Sequence, residues 1–156
     1  MTGRAEVDRL RRRLDETFKR ASALNADPEL LSDFARHLCV LVSGFIEQAV
    51  IELLLEYVRL RSPEEIQRHV GQRLRRFTTA NAKNVIELIG SFNLDWQRDL
   101  EKHIVDEYKD AVDSVVNLRH TVAHGRFAGI TMNSVQSYYD RVKKVIDHIA
   151  DLCLPA

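Results

Sequence analysis

The chain has 156 residues, of which 45% are hydrophobic and 29% are charged. That length and composition predict one domain with its own core. Lys plus Arg and Asp plus Glu both number 23, so the chain has no overall basic excess that would by itself indicate nucleic-acid binding. Only six glycines and three prolines are present, which disfavours a turn-rich all-β fold and favours long helices.

The first two helices are marked by composition and a start signal. Residues 6–24 predict a charged amphipathic helix. Asp27 then serves as an N-cap with Pro28 at the first helical position, which begins a long second helix. That helix becomes apolar nearly all round, which predicts a central element covered by several neighbours. The sequence SPEE at 62–65 repeats the start signal for a shorter helix that stops near 77–79.

The second half predicts three further elements. Residues 81–92 form a short helix, and 93–98 turn the chain into a longer fifth helix. The last helix begins near Thr131 or, through a capping box, at Asn133, and runs to Cys153. No segment alternates with period two. The sequence therefore predicts an all-α fold, a compact antiparallel bundle of about five to six helices with the second, fifth and last in its core.

The most apolar stretch, residues 38–58, raises the question of a membrane span. Its glutamates, Glu47, Glu52 and Glu56, would be costly in lipid, so we expect no membrane association. The first residues are polar and lack the apolar segment of a signal peptide, which favours a cytoplasmic protein.

Both cysteines lie within apolar helical runs. Cys39 and Cys153 have neither metal-ligand nor disulfide spacing. We expect two buried, reduced thiols.

The end of the fifth helix carries the most informative residues, NLRHTVAHG at 117–125. At about 100° per residue, Arg119 projects close to the centre of an apolar stripe that begins at Tyr108. A guanidinium there needs an anion, a partner chain or a water-filled cleft, because an unpaired buried charge is costly. His124 precedes Gly125, a favoured helix-ending residue, and the helix dipole favours its protonated form. His124 is therefore a candidate acid-base group.

Arg119 and His124 are five residues apart and diverge by about 140° on a continuous helix, too far for one phosphate. Two arrangements resolve this. Gly125 ends the helix and redirects the histidine, or a two-fold dimer brings the residues of two subunits together across a shared cleft.

The pattern of Arg119, four residues and His124 at a helix end resembles the HEPN family of ribonucleases. The segment 38–57 and the pair of tyrosines in the last helix resemble one branch of it, named after RiboL and PSP. The resemblance covers essentially the whole chain and implies a single HEPN-like helical domain over 1–156.

The resemblance implies metal-independent endonucleolytic cleavage of RNA in a cleft of a homodimer, without a cofactor. His124 would move a proton to or from the sugar oxygens, and Arg119 would bind the phosphate and stabilise its transition-state charge. It also implies supporting residues. His120 would orient Arg119 or contact RNA, and Glu47 on the second helix would fix the arginine side chain.

Each of these residues also has a structural interpretation. Arg119 would form a salt bridge to Glu47 or to a carboxylate of the dimer mate, and Glu47 would be a satisfied core carboxylate. His124 would cap the helix and His120 would lie at the surface. The two histidines have zinc-ligand spacing, but no further ligand follows at a suitable distance, so we expect no metal.

A basic cluster near the third helix is the candidate RNA-backbone contact. Arg73, Arg75 and Arg76 lie beside Phe77, which offers a stacking surface. The alternative is a solvated helical face.

Two functions of different classes follow. The first is an RNA-cleaving toxin or defence effector that is restrained by an antitoxin or regulatory protein. The second is a non-catalytic helical module that binds RNA or a protein partner, since a fold does not fix activity.

Overall fold

The computed structural model describes residues 3–123 and 129–155. Over these ranges the chain forms helices and no strands, which confirms the all-α prediction. The helices are α1 (Gly3–Ser22), α2 (Pro28–Arg59), α3 (Glu64–Leu74), α4 (Ala82–Gly90), α5 (Leu94–His103), α6 (Asp106–Ala123) and α7 (Met132–Cys153).

The long helix α2 is the centre of the bundle. Asp27 caps it as predicted, accepting a hydrogen bond from the backbone N–H of Leu30 at 2.9 Å. Its neighbours are α1, α3, α6 and α7. Within the described residues α2 is the one helix long and apolar enough to cross a membrane, and 67% of its most apolar window is buried inside the protein. Central burial in a bundle accounts for this composition.

The predicted core is confirmed in its main elements. The second helix, the helix bearing Arg119 and the last helix are α2, α6 and α7, and the three pack against one another. Side chains from all seven helices join one hydrophobic cluster. Cys39 and Cys153 are free and buried within it, as expected.

Tyr139 of α7 is the largest fully buried side chain among the described residues, and it contacts α1 and α2. Its ring stacks on Phe18 of α1 with centroids 4.5 Å apart and meets Phe45 of α2 edge-on at 6.3 Å. Its hydroxyl donates to Asp15 of α1 at 2.5 Å. Burial, followed by the bond and charge of Asp15, strongly raises the pKa of Tyr139, which keeps the phenol neutral.

One local prediction was wrong, and in another the structure selects one of two alternatives. Residues 93–98, predicted as a turn, begin the helix α5, because the Asn93 side chain accepts hydrogen bonds from the backbone N–H groups of Asp95 and Trp96. This adds a helix to the predicted five to six. The alternative start of the last helix at Asn133 does not occur, since Thr131 is the N-cap.

Candidate active site

The candidate site is built on an ion pair between α6 and α2. Arg119 Nη1 donates to Glu47 Oε1 at 2.5 Å. The Glu47 side chain is 11% exposed, whereas that of Arg119 is 39% exposed. The carboxylate is therefore held inside the bundle, and the guanidinium faces both the carboxylate and solvent.

The packing of α6 explains where Arg119 lies. Ala111, Val112 and Val115 are buried on one face of the helix, and Arg119 follows Val115 by four residues on the same side. The sequence predicted that Arg119 would lie near the centre of this stripe. Arg119 does follow this stripe, but its side chain is partly exposed and not enclosed by the core. This position makes the guanidinium accessible to an anion.

Glu47 is a charged residue among buried apolar neighbours on α2. Burial raises the pKa of Glu47, and the hydrogen bond and positive charge of Arg119 offset part of that rise. Ser43, one turn earlier on the same helix, is fully buried. Its hydroxyl has no hydrogen-bond partner among the residues that the structure describes. Ser43 and Glu47 therefore place two polar groups one turn apart on the same face of α2.

A polar cavity lies between α6 and α7, near the C-terminal end of α6. Its volume is about 360 Å³, and it extends along α6 from Ser114 to Thr121. Asn117 and Tyr138 contribute polar groups to its wall. Gly129, which follows the motif in the sequence, also borders it. The sequence did not predict this cavity, because its walls come from helices whose packing angle is not readable from the pattern.

A profile of the family described as RiboL-PSP-HEPN matches residues 8–154. The chain belongs to the RiboL-PSP-HEPN family. No curated protein and no solved structure gives a significant match. The membership confirms the resemblance seen in the sequence, and the match covers α1 from Asp8 and the whole of α2 to α7 of this RiboL-PSP-HEPN domain.

The structure describes only part of the motif of this RiboL-PSP-HEPN protein. His120 is exposed on α6 directly after Arg119. His124 and Gly125 lie outside the described residues, since α6 is described as far as Ala123. Of the predicted site residues that the structure describes, Arg119 and Glu47 are in direct contact.

The predicted basic cluster of the RiboL-PSP-HEPN chain lies at the end of α3. Arg73, Arg75 and Arg76 are all exposed. Phe77 is half-buried and packs against the core, so only part of its ring can stack on a base. Arg76 and Phe77 also line an open cavity of about 490 Å³ together with α4.

Ser43 is the residue near the site that sequence reasoning passed over. It was part of the segment that carried the family resemblance, but was not singled out. The available signal was its spacing, four residues before Glu47 on a helix that is otherwise apolar nearly all round.

Proposed function

We propose that this RiboL-PSP-HEPN protein is a metal-independent endoribonuclease in which Arg119 and His124 cleave RNA at a homodimer cleft. HEPN domains are often ribonucleases, and the whole motif is present in this chain. The observation that carries the proposal is the half-exposed guanidinium of Arg119, held from behind by the buried carboxylate of Glu47.

The ion pair supports a phosphate-binding role for Arg119. A guanidinium has five N–H donors in a planar fork, and Glu47 accepts from Nη1. Donors on the exposed side remain for a phosphate, which a guanidinium can bind through two parallel hydrogen bonds. Glu47 acts as a positioning residue, because it limits the rotamers of the long arginine side chain.

The proposed chemistry is an internal transesterification. The 2′-hydroxyl of the ribose attacks the adjacent phosphorus, a new O–P bond forms, and the bond to the 5′-oxygen breaks. A histidine takes the proton of the 2′-hydroxyl, and a protonated histidine gives one to the leaving oxygen. In a two-fold dimer, His124 of each subunit would supply one of these roles. Arg119 stabilises the extra negative charge on the phosphate oxygens.

We further propose the cellular setting that this activity requires. Unrestrained RNA cleavage harms the cell that makes the enzyme, so an antitoxin or other regulatory protein would hold it in check. The exposed Arg73, Arg75 and Arg76 would track the RNA backbone outside the cleft. The protein would act in the cytoplasm as a toxin or defence effector.

The test is RNA cleavage in excess chelator. Wild type is compared with the Arg119→Ala/His124→Ala double variant on total RNA and on defined RNAs. The matched control is Arg98→Ala, which removes an exposed arginine from α5. We expect cleavage by wild type and the control and none by the double variant. RNA binding without cleavage by a folded wild-type dimer would support the non-catalytic binding module instead.

A further inference from the structure

A second cluster of titratable side chains lies where α5 packs against α7. Asp99 and His103 are four residues apart on α5, and His148 faces them from α7. His148 Nε2 lies 2.5 Å from Asp99 Oδ1, and His103 Nδ1 lies 3.2 Å from the same oxygen. The two imidazole rings stack with centroids 4.1 Å apart. One carboxylate oxygen thus contacts both histidines.

From this geometry we propose that Asp99, His103 and His148 bind one divalent transition-metal ion of the zinc type. One ligand atom from each residue lies within 4.8 Å of the other two. Ligands about 2.0–2.2 Å from a tetrahedral Zn²⁺ are separated by about 3.3 Å. Side-chain rotations that move the ligand atoms by about 1.5 Å or less therefore complete the site.

The chemistry of the three residues matches such an ion. Two neutral imidazoles and one carboxylate form a donor set that suits zinc and its neighbours among the transition metals. The backbone carbonyl of Asp99 lies 2.9 Å from His103 Nδ1. Nδ1 is the His103 nitrogen that lies near the Asp99 carboxylate, so a metal ion held there would displace this contact and leave the ring proton on Nε2. Two imidazolium ions at this ring separation would repel each other, whereas a shared cation joins them.

The cluster is open to solvent on one side. His103 is 55% exposed, and Asp99 and His148 are each 33% exposed, so an ion can reach them. A cavity of about 180 Å³ borders both histidines and gives room for a water molecule as fourth ligand. Lys144 also lines this cavity, and its exposed side chain can turn its ammonium toward water.

This ion would fasten α5 to α7 and would take no part in RNA cleavage. The cavity beside the cluster is lined by Tyr108 of α6, eleven residues before Arg119 on that helix. Eleven residues of α-helix span about 16 Å, so the ion lies well away from the candidate active site. The sequence predicted no metal. That prediction rested on the spacing of His120 and His124, whereas the contact of His148 with Asp99 depends on how α7 packs against α5.

The test uses the full chain, free of any affinity tag and of metal. Equilibrium dialysis against Zn²⁺ measures stoichiometry and affinity, and Co²⁺ reports the ligand geometry by its visible absorption. We expect one ion per chain. We expect His103→Ala and His148→Ala each to weaken binding by about 100-fold or more, beyond the 10–100-fold typical of groups that only support a ligand.

His69→Ala is the matched control, because His69 is an exposed histidine on α3. It should leave the affinity unchanged. Because His103 is the most exposed member of the cluster, its alanine variant should keep the wild-type helical circular dichroism, and His103→Gln is the second variant if it does not. Absence of stoichiometric binding, or equal weakening by His69→Ala, would overturn the proposal. RNA cleavage is not read in this test, so its outcome is independent of the proposed ribonuclease activity.

Discussion

Glu47 on α2 and Arg119 on α6 stand 72 residues apart in the sequence and form an ion pair with unequal exposure of its two members. The carboxylate is in the bundle, and the arginine is at its edge. Because the two partners differ in this way, removing one has different consequences from removing the other.

Removal of Arg119 should destabilise the fold in a pH-dependent way. In Arg119→Ala the pKa of Glu47 rises further, since the bond and charge that lower it are gone. A carboxyl group whose pKa is higher in the folded than in the unfolded state stabilises the fold when it is protonated. This stabilisation is lost as the pH rises through the higher pKa. Relative to wild type, we expect a loss of about 1–2 kcal/mol at about pH 8, reduced from the buried-pair value because Arg119 is partly exposed.

Urea unfolding at about pH 4.5 and about pH 8 measures this effect. The difference in the free energy of unfolding between wild type and Arg119→Ala should shrink at the lower pH, where a larger fraction of Glu47 is protonated in both proteins. The double variant Arg119→Ala/Glu47→Gln is the control, and it should show little of this pH dependence. A difference in the free energy of unfolding that is the same at both pH values would contradict the role given to the buried carboxylate of Glu47.

Glu47→Gln should slow RNA cleavage without removing it. The amide no longer holds the guanidinium by charge, and a small displacement of a positioning contact lowers catalysis by about 10–100-fold. Arg119→Ala should lose more, because the phosphate contact itself is gone. The rates come from a defined fluorescent RNA, with circular dichroism to check folding. Equal rates for wild type and Glu47→Gln would remove Glu47 from the catalytic apparatus.

The two thiols should resist alkylation and disulfide exchange in the folded protein. Burial raises the pKa of Cys39 and of Cys153 to about 12. Only the thiolate reacts, so the reactive fraction at about pH 8 is very small, and both sulfurs are also shielded from reagent. An aromatic disulfide reagent should report no fast-reacting thiol in native protein and two after denaturation. One rapid equivalent in the native state would show that a cysteine reaches solvent.

Tyr139 should be among the most costly core residues to truncate. Tyr139→Ala removes the stacking on Phe18 and leaves a cavity, and we expect a loss of about 3–5 kcal/mol. Tyr139→Phe removes only the hydrogen bonds of the hydroxyl, to Asp15 and to the Arg11 carbonyl, with an expected loss of about 1–2 kcal/mol. Tyr138→Phe is the neighbouring control, with about 0.5 kcal/mol or less expected for this partly exposed side chain. Urea unfolding should preserve this order, and a reversal would contradict the assigned packing.

Much of the fold was readable from local signals. The cap formed by Asp27 and Pro28, the all-round apolar character of α2 and the periodic face of α7 each gave the correct element. The start of α5 was missed because asparagine is common both in turns and at helix N-caps, and the role of Asn93 is decided by its side-chain hydrogen bonds.

The candidate site was only partly predictable. Arg119 and Glu47 were identified as a potential pair, and the structure contains that contact. The exposure of Arg119 was not predicted, because helical periodicity gives a direction around one helix and not the depth of its neighbours. The approach of His148 to Asp99 depends on how α5 crosses α7, which a sequence pattern does not encode.

The central claim is that Arg119 and His124 cleave RNA by attack of the 2′-hydroxyl without a metal ion. The most direct measurement is mass spectrometry of the fragment ends that wild type produces from a defined RNA in excess chelator. The account predicts 2′,3′-cyclic phosphate and 5′-hydroxyl ends, absent with Arg119→Ala/His124→Ala and unchanged with Arg98→Ala. Fragments with 3′-hydroxyl and 5′-phosphate ends, or cleavage that requires added metal, would contradict it.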